Sequence, residues 1–229
     1  MAEADPRATY AVDGVAFDLD GTLLDTIYDL AAAVNALLAE LGHAPLPVAT
    51  VRDLVGKGMP HLLQKALALR GADADERATL AHLPRYQAIY GALLGNETRI
   101  FPGVREGLQR MRDAGFRLAV VTNKATKFVA PHLDRAGIAS FFDAVVGGDD
   151  PVRKKPDAAP MLLAAERLGV APARLMMVGD SGNDVASARA AGCPVLVVPY
   201  GYTEGLPVQS LGADGIVDSL AVVADLVRR

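Results

Sequence analysis

Ten consecutive residues, Phe17-Asp18-Leu19-Asp20-Gly21-Thr22-Leu23-Leu24-Asp25-Thr26, constrain this chain more than any other stretch. The apolar run Val15-Ala16-Phe17 reads as a buried strand, so two carboxylates and a hydroxyl arrive where that strand ends. Two carboxylates at a buried strand end repel each other and are poorly solvated. One must take up a proton unless a cation lies between them. A hard divalent ion with oxygen ligands, Mg2+ above all, removes the conflict. It also leaves one carboxylate ionised and able to act as a nucleophile, as in aspartyl-phosphate chemistry. The same residues have a plainer use: Asp20-Gly21 suits a turn, and Asp25 or Thr26 suits a helix cap.

Composition narrows the surroundings of this stretch. With 229 residues, 51% of them hydrophobic, the chain can bury a sizeable core in one or two domains. A formal net charge of −4 argues against a nucleic-acid partner, because no phosphate-neutralising surface is implied. No apolar run approaches the roughly 20 residues of a membrane span, and Met1 to Arg7 lacks the basic-then-apolar order of a signal peptide. Cys193 is the single cysteine, which excludes an internal disulfide framework and fits a reducing cytoplasm. Asn96-Glu97-Thr98 matches a glycosylation acceptor, a chance match in a chain without a secretory signal.

The order of patterns implies two kinds of architecture. Residues 1–10 read as a polar tail and residues 11–18 as the first strand. Ile27, Leu30, Ala31, Val34, Leu37, Leu38 and Leu41 then recur at helical spacing. Thr26 and Asp29 have the spacing of its capping box, and Gly42 is a stop signal. Further helical stripes follow, Leu62, Leu63, Ala66 and Leu67 on one and Leu80, Leu83, Ile89 and Leu93 on another. No strand pattern interrupts residues 26–94, a span too long for a crossover and too well patterned for a loop. It reads as an inserted helical subdomain, residues 26–95, within a core formed by residues 1–25 and 96–229. From Phe101 onward helix and strand alternate, with strands at 116–121, 144–146, 175–178, 195–198 and 216–217. Such alternation implies an α/β core: a parallel sheet with helices on both faces.

Ligands of an open parallel sheet sit beyond the carboxyl ends of its strands. That rule gathers Asp18, the run Thr122-Asn123-Lys124 and the cluster Asp180-Ser181-Gly182-Asn183-Asp184 at one edge. Asp180 is expected to meet the cation from the side opposite Asp18, and Asp184, one helical turn on, to hold a coordinated water. Ser181 and Asp184 also have capping-box spacing, and both uses are compatible. Lys155, stiffened by Pro156, supplies the positive charge that a transferring phosphoryl group needs. Lys154 reads as an ordinary solvated lysine. In the inserted segment, Gly56-Lys57-Gly58 lets backbone approach a ligand, and Lys57 could meet an anionic substrate end; Arg52 is the weaker option, and an interhelical turn is the plain reading. His43, His61, His82 and His132 lack metal-ligand spacing and read as surface or packing residues. Cys193 reads as a buried, inert thiol.

In order, Asp18-Leu19-Asp20-Gly21-Thr22, Val121-Thr122-Asn123, Lys155-Pro156 and Gly179-Asp180-Ser181-Gly182-Asn183-Asp184 resemble the four motifs of the haloacid dehalogenase superfamily. The resemblance implies a Rossmann-like core with an all-α C1 cap. It implies Asp18 as nucleophile, and Asp20 as general acid/base that also binds the metal through its carbonyl. Gly21, Thr122, Asn123 and Lys155 would hold the phosphoryl group, and Asp180, with Asp184 further out, would complete a Mg2+ site. Phe101-Pro102-Gly103-Val104, Gly147-Gly148-Asp149-Asp150, Ala191-Gly192-Cys193-Pro194 and Tyr200-Gly201-Tyr202 are in turn similar to the bacterial phosphoglycolate phosphatases. The resemblance therefore implies a Mg2+-dependent phosphomonoesterase, a monomer or homodimer, that hydrolyses a small phosphorylated metabolite, 2-phosphoglycolate, through an aspartyl-phosphate intermediate. Hydrolysis of another small phosphate, a sugar phosphate or pyrophosphate, is one alternative, and a phosphomutase is the other. A dehalogenase is disfavoured, because carbon–halogen displacement needs no metal site.

Overall fold

Strict two-residue alternation in the strands builds the core. Val15, Phe17, Leu118, Val120, Met176, Val178 and Leu196 point to one face, and Ala16, Ala119, Val121, Met177, Val195 and Val197 to the other. Both sets are buried, as a parallel sheet covered on two sides requires. The computed structural model describes residues 9–229. The chain runs through β1 (Tyr10–Ala11), β2 (Gly14–Phe17) and β3 (Leu24–Asp25) into four helices, α1 (Ile27–Glu40), α2 (Val48–Arg52), α3 (Met59–Ala68) and α4 (Glu76–Leu93). β4 (Arg99–Ile100) returns it to alternation: α5 (Val104–Asp113), β5 (Arg117–Val121), α6 (Thr126–Arg135), β6 (Ala144–Val146) and α7 (Ala159–Leu168). β7 (Leu175–Gly179), α8 (Gly182–Ala191), β8 (Val195–Val197), β9 (Gly215–Ile216), α9 (Leu220–Leu226) and β10 (Val227–Arg228) complete it.

The six-stranded parallel sheet has the order β6-β5-β2-β7-β8-β9. Helices α5, α6 and α9 pack on the first face, and α7 and α8 on the second. β2 is central, between β5 and β7, with Phe17 level with Val120 on one side and Val178 on the other. Phe17 is fully buried there, a burial worth about 2–3 kcal/mol relative to exposure.

The expected first strand is interrupted. Tyr10–Ala11 pairs with Val227–Arg228 in a separate ribbon, and the break falls at Asp13, which binds Arg174 at 2.7 and 2.9 Å. Of the predicted tail, residues 1–8 lie outside the described residues.

Helices α1–α4 form a separate apolar cluster over the carboxyl edge of the sheet, the inserted all-α cap. β3 and β4 pair antiparallel where the chain leaves and re-enters the core. The α4 stripe differs from the leucine pattern. The helix buries Thr79, Tyr86, Ile89 and Tyr90, while Leu80 is 50% exposed. Aromatic volume at positions 86 and 90 fixes which face turns inward. No helix among the described residues is long and apolar enough to cross a membrane.

Candidate active site

Register alone brings the acidic motifs together. Asp18 follows the level row of Phe17, Val120 and Val178, and its N–H donates to the Val178 carbonyl at 3.0 Å. Thr122 and Asp180 therefore leave the neighbouring strands at the same edge. Carboxylate oxygens of Asp18, Asp180 and Asp184 all lie within 4.8 Å of one another, in buried positions. Lys155, also buried, is their counter-charge: its Nζ stands 3.1 Å from Asp18 Oδ1 and 2.6 Å from Asp184 Oδ1, and donates to the Val121 carbonyl at 2.8 Å.

Backbone and hydroxyl donors fix each carboxylate. Asp180 Oδ1 accepts from Thr22 Oγ1 at 2.6 Å, and its Oδ2 accepts from the Tyr202 N–H. Asp184 Oδ2 accepts from Ser181 N at 3.0 Å and Ser181 Oγ at 2.7 Å, so the predicted capping box at the start of α8 is present. Two glycines leave room for Asp180. A Cβ at Gly21, whose φ is +95°, would lie 2.3 Å from Asp180 Oδ2, and one at Gly201 would lie 2.2 Å from Asp180 Cβ.

This donor set fits a hard divalent cation. Burial, with Lys155 opposing and Asp184 and Asp20 adding, pushes the Asp18 carboxyl up to about 6. Burial and the negative charges of Asp18 and Asp184 push Asp180 well above the usual carboxylate range. Burial opposes the Lys155 ammonium, but Asp18 and Asp184 more than offset it and hold that group charged. Three carboxylates and one ammonium leave two uncompensated negative charges, which one divalent ion with oxygen preference would cancel. Asp184 is engaged at both oxygens, Oδ1 by Lys155 and Oδ2 by the start of α8, which sets it further out than Asp18 and Asp180.

The Asp20 side chain stands beside this cluster and has its own partners. Its Oδ1 accepts from Thr26 Oγ1 at 2.7 Å and from Lys124 Nζ at 2.9 Å, with Oδ2 at 3.1 Å from the same ammonium. Burial would raise its pKa, but Lys124 outweighs that and holds it below the ordinary value. Lys124 Nζ also donates to the Tyr90 hydroxyl of α4 at 2.6 Å. The predicted Thr26–Asp29 capping box is absent. Tyr202 caps α1 instead, its hydroxyl accepting from Thr26 N at 2.9 Å and Ile27 N at 3.1 Å while donating to Asp25 Oδ1 at 2.6 Å. That releases the Thr26 hydroxyl to Asp20 and the Asp29 carboxylate to the far end of the cap.

Between core and cap lies a cleft of about 40 Å³, room for roughly three waters. Asp18, Asp20, Thr122, Asn123 and Lys124 form its floor, and Leu30, Val55, Gly56, Gly58, Met59 and Leu62 its roof. Asn123 Nδ2 donates to the Lys155 carbonyl and to the Gly56 carbonyl, both at 2.9 Å, joining the phosphate-binding candidates to the cap loop. Lys57 does not line the cleft. Its ammonium is paired with Glu204, which also accepts from Asn183 Nδ2 at 2.9 Å. Lys154, expected to be merely solvated, donates to the Lys57 carbonyl. Arg52 lies over the Tyr202 ring, 5.4 Å from its centroid. Sequence reasoning gave no role to Lys124, Tyr90, Tyr202 or Glu204. For Lys124, its place two residues after Thr122 was the available signal.

A family model described as haloacid dehalogenase-like hydrolase matches residues 12–192. A phosphoglycolate phosphatase of Nitrosospira multiformis is 46% identical over 220 residues, covering 95% of this chain and 96% of that protein. One of Escherichia coli is 40% identical, covering 91% and 90%. Among solved structures, a predicted phosphoglycolate phosphatase from Haemophilus somnus superposes with a TM-score of 0.88 at 33% identity, covering 93% of this chain and 96% of that one. CbbY from Rhodobacter sphaeroides, in complex with phosphate, gives 0.78 at 29% identity, covering 94% and 99%. The chain thus belongs to the haloacid dehalogenase-like hydrolases, and within them it is a phosphoric monoester hydrolase.

Proposed function

We propose that the protein hydrolyses 2-phosphoglycolate to glycolate and phosphate, with a Mg2+ ion that Asp18, Asp180 and the carbonyl of Asp20 would hold and Asp184 would support from further out, through water. The observation that carries this reading is the buried cluster of Asp18, Asp180 and Asp184, tied by Lys155, under an apolar roof. The small cleft favours a compact phosphomonoester, and the relatives' shared activity points to this one. When bound, Mg2+ would neutralise charge on the phosphoryl group and its attacker. Asp20, a carboxylate paired with Lys124 before substrate enters, takes a proton from solvent as substrate binds. Asp18 Oδ then attacks phosphorus in line, the bond to the substrate's ester oxygen breaks, and Asp20 gives that oxygen its proton. Asp20 then takes a proton from water, the water oxygen bonds to phosphorus, and the Asp18–phosphoryl bond breaks, returning Asp18 as a carboxylate and Asp20 in its protonated form. Thr122, the amides around Asn123 and Gly21, and the Lys155 ammonium hold the phosphoryl oxygens throughout. Residues 26–95 act as the unit that opens to admit substrate, since the closed cleft holds only a few waters.

Phosphate release from a panel of small phosphomonoesters, on chelator-treated protein with and without added Mg2+, tests the reading. A marked preference for 2-phosphoglycolate that returns only with the ion supports it. A flat profile, or full turnover in excess chelator, contradicts it.

A further inference from the structure

The cleft has a phosphoryl end and a leaving-group end, and only one of them has an evident charge partner for a second anion. Of the side chains lining it, Lys124 alone is cationic. Its ammonium is buried, 2.9 and 3.1 Å from the two Asp20 oxygens and 2.6 Å from the Tyr90 hydroxyl of the cap. The other side chains of that end, Leu30, Val55, Met59 and Leu62, carry no charge for an anion, and Gly56 and Gly58 bring only backbone. Lys57 and Arg52 are engaged elsewhere, on Glu204 and the Tyr202 ring.

We infer that Lys124 determines specificity by holding the second anionic group of the substrate, a carboxylate on the leaving alcohol. This rests on the substrate reading above. The ester oxygen must lie within hydrogen-bond reach of Asp20 to receive its proton. Lys124 Nζ is itself one hydrogen bond from Asp20. A carboxylate one carbon beyond the ester oxygen therefore reaches the ammonium, whereas a neutral leaving group does not use it. The ammonium exchanges an Asp20 oxygen for a substrate oxygen, so the substrate replaces a contact that the buried charge already has. Tyr90 keeps the remaining proton of the ammonium engaged from α4, so the anion subsite is complete only with the cap closed. A charge-assisted hydrogen bond made in such a dry site is worth about ten- to a hundred-fold in affinity.

Two substrate pairs test the inference: 2-phosphoglycolate against ethylene glycol monophosphate, and 3-phosphoglycerate against glycerol phosphate. Within each pair a carboxylate is set against an uncharged end. Lys124→Met is compared with wild type and with Lys124→Arg, each checked for native circular dichroism. Loss of the Asp20 contact slows all four substrates, so the readout is the ratio of kcat/KM within a pair. The expected result is a ratio at least about tenfold smaller in Lys124→Met, carried by KM for the carboxylate member and partly restored in Lys124→Arg. Lys57→Gln is expected to keep the wild-type ratio. An unchanged ratio in Lys124→Met overturns the inference while leaving the substrate reading intact. Wild-type preference for the carboxylate in the second pair alone, lost in Lys124→Met, overturns the substrate reading and keeps the subsite. Absence of carboxylate preference in both wild-type pairs overturns both.

Discussion

Asp29 near the start of α1 accepts a hydrogen bond from the hydroxyl of Thr98 at 2.7 Å, across the whole length of the cap insertion. The same carboxylate accepts from Gly95 N at 2.8 Å and Glu97 N at 2.9 Å, so one buried side chain closes the loop of residues that carries α1–α4. Asp29→Ala leaves two amides and a hydroxyl without partners, at a cost of about 2–3 kcal/mol. The expected outcome is a melting temperature about 4–10 °C lower, with a KM several-fold higher as closure loses its fixed hinge. Calorimetry and steady-state kinetics check both, and unchanged values in both would show the junction to be held elsewhere.

Gly201 is a site of close approach rather than of special backbone conformation. A Cβ there would sit 2.2 Å from Asp180 Cβ and 2.5 Å from its Oδ2. Gly201→Ala must therefore displace the Asp180 carboxylate while leaving the sheet unaltered. Displacing an oriented ligand costs about 10–100-fold in metal affinity. Titration of Mg2+ by calorimetry is expected to show that loss in a folded variant, and an unaltered isotherm would remove Asp180 from the metal site.

His132 supplies a pH dependence that is independent of the metal. It is buried on α6 against Tyr90, and neither ring nitrogen has a hydrogen-bond partner among the described residues. Burial, aided by the Lys124 charge, pushes its pKa down to about 4 from 6.5. The unfolded chain therefore binds a proton below 6.5 that the folded chain refuses until about 4. Stability is lost as pH falls through that window, by up to about 1.4 kcal/mol per pH unit. Denaturant melts of wild type and His132→Leu between pH 7 and 4 are expected to diverge, the variant showing the shallower decline. Parallel declines would mean that other groups carry the acid sensitivity.

The parallel sheet and its helices were legible because a strand buried on both faces writes an uninterrupted apolar run, and because Asp18, Thr122 and Asp180 stand at the ends of such runs. The capping box of Ser181 and Asp184 was legible for a similar reason, since both partners lie within one turn. What escaped are contacts across long stretches of chain. Nothing near Thr26 announces that Tyr202 will cap α1, and Asp29 has a correct local spacing that the tertiary partners Gly95, Glu97 and Thr98 override. Thr98, whose spacing also mimics a glycosylation acceptor, is used for that latch. Lys57, between two glycines, reads either as a group for an anionic substrate or as a solvated lysine on a turn, and neither pattern shows Glu204, far along the chain, which takes its charge. Lys124 had the opposite fate: placed at the sheet edge with Thr122 but given no task of its own, it is buried by the fold between Asp20 and Tyr90.

The account depends on Asp18 receiving the phosphoryl group in a site neutralised by one divalent ion. Rapid acid quench of wild-type protein during turnover of 2-phosphoglycolate, followed by proteolysis and mass spectrometry, reads this directly. The predicted result is an acid-stable, base-labile phosphoryl group on the peptide that contains Asp18, absent in Asp18→Asn and absent after chelation. Phosphate formation by wild type with no phosphorylated peptide at any quench time, or the group on a different residue, would contradict it.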